Sequence, residues 1–195
     1  MLSRISALVL SLMGWKTSGV LPDGVEKAVL IVAPHTSYWD FVIGRLTFWA
    51  SRIKIRLLIK KEVFAFPLGI ILKLAGGIPV ARGKKNDMVD QVVNLFGKYK
   101  SLVVVITPEG TRRKVRKWKK GFYLIALQAR VPIALAYIDY RKKTGGIGPV
   151  IYPTGDYEKD MDRIYRFYSD KTGKHPERFQ LPRPVQSTES TINPI

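Results

Sequence analysis

The chain has 195 residues, 46% of them apolar, which is enough for one domain with its own core. It has no cysteine, which excludes disulfides, a catalytic thiolate and zinc sites of the cysteine type. Its 33 Lys and Arg against 15 Asp and Glu give a formal charge of +18 and imply an anionic partner: nucleic acid, anionic lipid headgroups or a phosphorylated substrate.

No stretch reaches the roughly 18 to 20 apolar residues that a spanning helix needs. The opening MLSRISALVLSLMGW lacks the small-x-small site of a signal peptide. Ile5, Leu8, Val9 and Leu12 instead share one face at helical spacing, with Ser3, Ser6 and Ser11 between them. That predicts an amphipathic helix, which either packs on the domain's own core or lies in the plane of a membrane. Residues 14–24 read as a connection. The run AVLIVA at 28–33 reads as a buried strand ended by Pro34, and 37–51 as a helix. Residues 53–59 alternate like a half-buried strand. Residues 64–75 are almost wholly apolar and read as a short helix from near Pro67, buried or touching lipid. Strands follow at 78–81, 102–107 and 133–138, and helices at 87–99, 118–129 and 156–167. The end, 180–195, is rich in Pro, Ser, Thr and Gln and reads as a loose tail.

Alternating strands and helices give the fold class: α/β, a single domain with a largely parallel sheet flanked by helices and preceded by a short amphipathic helix. The expected organisation is 1–20 helix and connection, 21–179 the folded domain, and 180–195 tail. Ligands of such sheets bind beyond the carboxyl ends of the strands.

The chemistry-bearing residues fall at those ends. After the 28–33 strand comes Pro34-His35-Thr36-Ser37-Tyr38-Trp39-Asp40. Positions 35 and 40 of one straight helix would point about 140° apart. They meet only if His35 sits in the turn and Asp40 in the first helical turn. Asp40 would then fix the imidazole's tautomer and leave its other nitrogen as a base. With no cysteine and no G-x-S-x-G elbow, the nucleophile would come from the substrate. The competing reading is a capping box, Ser37-x-x-Asp40. After the 102–107 strand comes Pro108-Glu109-Gly110-Thr111-Arg112, where Gly110 admits a close backbone approach and Arg112 presents a planar fork for phosphate or carboxylate. After the 78–81 strand comes Arg82. His175, the only other histidine, reads as exposed.

Together these blocks resemble the lysophosphatidic-acid acyltransferase family (1-acylglycerol-3-phosphate O-acyltransferases). Its H-x-S-x-x-D block matches His35, Ser37 and Asp40. Its Gly-Ile…Arg block matches Gly77, Ile78 and Arg82, and its P-E-G-T-R block matches Pro108 to Arg112 unchanged. Its V-P-[IVL] strand matches Val131-Pro132-Ile133, and a K-x-E-x-F stretch resembles Lys60, Glu62 and Phe64. The resemblance covers roughly residues 25–140. It departs at Pro34, Thr107 and Leu135, where the family commonly has Asn, Phe and Pro.

The resemblance implies an O-acyltransferase without metal or cofactor. His35 would remove the acceptor hydroxyl's proton, Asp40 would orient His35, and no acyl-enzyme would form. The co-substrate would be acyl-CoA or an acyl carrier protein. Arg82 and Arg112, with Lys60, would hold the acceptor's phosphate or carboxylate, while Glu109, Gly110 and Thr111 would shape its pocket. Residues 64–75 are the expected acyl lining, or simply core. The run RRKVRKWKK at 112–120 is either a solvated face or a lipid-attracting one with Trp118 at the interface. The implied setting is the cytoplasmic face of a membrane, peripheral or monotopic. The acceptor expected is a lysophospholipid, with a lyso-ornithine or lyso-glycine lipid as the alternative. A basic nucleic-acid-binding domain is the non-enzyme rival.

Overall fold

The apolar run at 28–33 forms the middle of the molecule. In the computed structural model, which describes residues 1–81 and 85–182, it lies within β2 (Lys27–Ala33). The other strands are β1 (Lys16–Ser18), β3 (Ile55–Lys60), β4 (Gly77–Val80), β5 (Leu102–Ile106), β6 (Ile133–Asp139) and β7 (Thr144–Ile151). The described strands form one sheet in the order β1-β7-β6-β2-β5-β3-β4. Every pairing is parallel except β6 with β7. The helices are α1 (Leu2–Leu12), α2 (Trp39–Ala50), α3 (Leu68–Leu74), α4 (Lys85–Lys98), α5 (Gly121–Ala129) and α6 (Tyr157–Tyr168). The expected class, a largely parallel sheet flanked by helices with a helix in front, is the observed one.

Successive side chains of a strand point to opposite faces, and β2 is covered on both. Ala28, Leu30 and Val32 enter the layer with Leu10 of α1 and Ile43 and Phe48 of α2. Val29, Ile31 and Ala33 enter the other layer with Val92 and Phe96 of α4, Phe122 and Ile125 of α5, and Ile164 and Tyr168 of α6. This explains why β2 reads as a continuous apolar run rather than an alternating one. Burying each of its larger side chains stabilises the fold by about 1.5–3 kcal/mol.

The structure decides two open sequence readings and corrects a third. First, α1 does not turn its apolar stripe inward. Ser6 and Leu10 are the buried positions, and Ser3 Oγ donates to the Ala50 carbonyl at 3.0 Å. Ile5, Leu8 and Leu12 face solvent. Small serines let α1 lie close against α2, so the apolar side is left outside. Second, the short helix expected from near Pro67 is α3, which follows a 3₁₀ turn (Lys61–Phe64), and it is not buried: Phe66, Leu68, Ile70, Ile71 and Leu74 are exposed. Third, Trp118 is buried, edge-on to Tyr165 and Tyr168, and not at a surface.

β1 and β7 were not foreseen. β7 carries Gly145, Gly146 and Gly148 because its neighbours occupy the space of its side chains. A Cβ on Gly146 would lie 1.7 Å from the Ser18 carbonyl oxygen, and one on Gly148 would lie 2.3 Å from the Phe167 ring. A strand with so few side chains gives no hydrophobic period to read.

Candidate active site

β2 leads into α2 on one face of the sheet, while its neighbour β5 leads towards α5 on the other. The crevice between their carboxyl ends is a topological switch point, where ligands of such sheets bind. His35 leaves β2 there and Glu109 leaves β5, and the His35 backbone N–H donates across the crevice to Glu109 Oε1 at 2.8 Å.

Asp40 sits in the first turn of α2 and folds back onto the loop. Its Oδ2 lies 3.2 Å from His35 Nδ1 and accepts the backbone N–H groups of Thr36 at 2.7 Å and Ser37 at 2.8 Å. Ser37 Oγ in turn accepts the Trp39 N–H at 3.2 Å. The contacts that the two readings of this stretch require are therefore both present. Asp40 closes the helix start in the manner of a capping box, and the same oxygen meets the imidazole. Burial works against the Asp40 charge. The hydrogen bonds from His35, the Ser37 amide, Tyr140 and the Thr36 amide outweigh it and hold the carboxyl below its ordinary range.

Glu109 is 2% exposed. Burial pushes its carboxyl up to about 8; the His35 amide pulls the other way and the Asp40 charge adds to the rise. It thus holds its proton well above the ordinary carboxyl range, and it ties the His35 loop to β5. Gly110 has φ +68°, and a Cβ there would lie 2.6 Å from Lys119 Cε. Thr111 Oγ1 accepts the Arg113 N–H at 3.3 Å. The Arg112 guanidinium stacks 3.5 Å from the centroid of the Tyr38 ring, on α2's side of the crevice. Lys60, at the end of β3, is half exposed and 3.8 Å from Glu62 Oε2. Arg82 lies outside the described residues.

Sequence reasoning missed Tyr140. It follows β6, the parallel neighbour of β2, and its hydroxyl donates to Asp40 Oδ1 at 2.9 Å. The same strand-end rule that picked out His35 and Glu109 applies to it. The His175 side chain is partly exposed, and its backbone N–H donates to Thr36 Oγ1 at 3.2 Å.

Beside His35 and Asp40 opens a cavity of about 210 Å³, lined chiefly by apolar groups, among them Val32, Phe41, Phe48, Ile55 and Leu57. Arg45 also borders it, donating to the Ala75 carbonyl at 2.8 Å and stacking 4.6 Å from the Trp49 ring centroid. No residue of 64–75 lines this cavity, whose walls come from α2, β3 and the ends of β2 and β5.

An α/β domain with a His-Asp pair at its switch point, facing an apolar cavity, is the frame in which the comparisons with known proteins fall. A family model described as Acyltransferase matches residues 17–139, and the chain belongs to that family. Relatives include 1-acyl-sn-glycerol-3-phosphate acyltransferases of Limnanthes alba, 28% identical over 75% of this chain and 55% of that protein, and of Cocos nucifera, 36% identical over 38% and 26%. The one from Limnanthes douglasii is 28% identical over 66% of this chain and 48% of its own length. The chain thus spans about half the length, or less, of these curated relatives. The fold is shared with the crystal structure of the 1-acyl-sn-glycerophosphate (LPA) acyltransferase, PlsC, from Thermotoga maritima. There the TM-score is 0.59 at 16% identity, covering 85% of this chain and 74% of that one. The resemblance read from the motif blocks and these matches agree.

Proposed function

We propose that this chain is an O-acyltransferase that moves a fatty acyl group from an acyl thioester to the hydroxyl of a lysophospholipid such as 1-acylglycerol-3-phosphate. The observation that carries the reading is the His35 Nδ1 to Asp40 Oδ2 contact of 3.2 Å at the mouth of an apolar cavity. With Nδ1 held by Asp40, Nε2 is the nitrogen left to take a proton.

In this reading Nε2 removes the proton of the acceptor hydroxyl as its oxygen bonds to the thioester carbonyl carbon. The tetrahedral oxyanion collapses, the carbon–sulfur bond breaks, and the thiolate takes the proton back from the imidazolium. Ester and free thiol are the products, and the enzyme is never acylated. Asp40, charged at neutral pH, steadies the imidazolium while it exists. The cavity between α2 and β3 takes the start of an acyl chain. Arg112, with one face on Tyr38, keeps its in-plane N–H groups for an anionic headgroup, with Lys60 and Arg82 as further cations. Gly110 and Thr111 shape the acceptor side, and neutral Glu109 braces the loop that carries His35.

A membrane-surface setting fits the outer face. No helix of the described residues is long and apolar enough to cross a membrane. Leu8 and Leu12 of α1, Phe41 and Val42 of α2, and Ile71 and Leu74 of α3 are nevertheless exposed. Such a group of apolar side chains beside a basic chain suits an anionic bilayer.

The test is thiol release from a long-chain acyl-CoA, and separately from an acyl carrier protein, with a panel of lysophospholipids and lyso-aminolipids in vesicles. Release that requires an acceptor, and that falls at least about 10²-fold in His35→Ala, supports the reading. Activity with lyso-aminolipids alone would replace the acceptor. Full activity in both His35→Ala and Asp40→Asn would remove the proposed base.

A further inference from the structure

The donors around Asp40 divide unequally between its two oxygens. Oδ2 receives His35 Nδ1 and the amides of Thr36 and Ser37, all from its own loop. Oδ1 receives the Tyr140 hydroxyl at 2.9 Å, from a strand end 100 residues along the chain. We infer that Tyr140 is a positioning residue for the His-Asp pair: its hydroxyl fixes the rotation of the Asp40 carboxylate so that Oδ2 faces the imidazole. The inference rests on the acyltransferase reading above for its consequence, but not for its geometry. Tyr140 also lies just beyond the residues matched by the family model, which end at 139.

Two contacts make Tyr140 a fixed rather than a fortuitous partner. Its ring stands edge-on to Trp15, with centroids 5.0 Å apart. Its backbone N–H donates to the Thr172 carbonyl at 2.8 Å. The segment that follows Thr172 then returns to the His35 loop, where a Cβ on Gly173 would lie 2.8 Å from Thr36 Oγ1 and where His175 donates to that same oxygen. Tyr140 and residues 172–175 thus brace the catalytic loop from its outer side. The hydroxyl cannot serve as a base, because burial first, and then the Asp40 charge and hydrogen bond, push its ionisation far above the ordinary tyrosine range. It is a permanent donor. The ionisable groups facing the pair are Glu109 across the crevice and Arg45 on the cavity wall. Without the Tyr140 donor the carboxylate is held through Oδ2 alone, and Oδ1 is left buried and unpaired.

The test compares Tyr140→Phe with the unaltered chain, alone and combined with Asp40→Asn. Expected is a fall in kcat on the order of ten- to a hundredfold with both KM values within about twofold, since the defect lies in alignment and not in binding. In the Asp40→Asn background, Tyr140→Phe is expected to cost little more, because the two act as a unit. Independent losses that multiply would overturn the inference, as would an unchanged kcat. A second measurement needs no turnover. The chain has 2 histidines, so a ¹⁵N-histidine spectrum, with His175→Gln for assignment, isolates His35. The His35 Nδ1–H signal is expected to be protected from exchange, and to lose that protection in Tyr140→Phe. If it does so in a chain that turns over no substrate, the positioning stands and the acyltransferase reading fails. If it is unaltered, the positioning fails.

Discussion

Two carboxyl groups share the candidate site and their surroundings push them in opposite directions. Asp40 keeps its charge because hydrogen bonds overcome burial, whereas Glu109 loses its charge because one amide does not. The consequences for stability have opposite signs. Asp40, with its folded value below 3.8, contributes stability that is present above that value and is lost as pH falls through the folded one. Glu109, raised from 4.5 to about 8, binds its proton more tightly when folded, so its contribution is lost as pH rises through that window. Glu109→Gln keeps an oxygen for the His35 N–H and cannot ionise. Its stability in urea is expected to gain on that of the unaltered chain between about pH 5 and about pH 9. Equal slopes for the two would mean that Glu109 is ionised in the folded state at neutral pH. His35, Asp40, Glu109 and Arg112 were legible because each stands at or just after a strand end in a short motif. The neutrality of Glu109 and the contact with Tyr140 were not, since both depend on a crevice assembled from segments 74 and 100 residues apart.

At the scale of elements, β2 and β5 could be read from apolar runs because they are covered on both faces. α1 could be read as a helix from its period but not oriented, because period locates a stripe and says nothing of which side is covered. Its orientation was decided by small residues, Ser3 and Ser6, which admit α2 at close range. The two sides of α1 should therefore answer differently to substitution. Leu10→Ala removes a buried side chain and is expected to lower unfolding free energy by about 2–5 kcal/mol. Leu8→Ser should leave it within about 0.5 kcal/mol while weakening retention on anionic vesicles in a flotation assay. Equal stability losses at the two positions would contradict the packing described. β7 offers a second check. Gly146→Val places a side chain where the Ser18 carbonyl stands, so β1 must leave the sheet, and amide exchange across 16–18 should accelerate.

For the whole molecule, the +18 charge acts as a field more than as a set of ion pairs. Binding to vesicles rich in anionic lipid is expected to fall by more than about tenfold between 0.05 and 0.5 M salt, as a Debye length of roughly 14 Å shrinks to roughly 4 Å. Binding that ignores salt would place the whole attraction in the apolar face. The outward stripe of α1 has a kinetic corollary. Its apolar side is already presented in water, so no helix must swing and no core must open before contact with a bilayer. Adsorption should be a single rigid-body encounter whose rate follows vesicle concentration without a plateau, and the circular dichroism of the chain should be the same on either side of it.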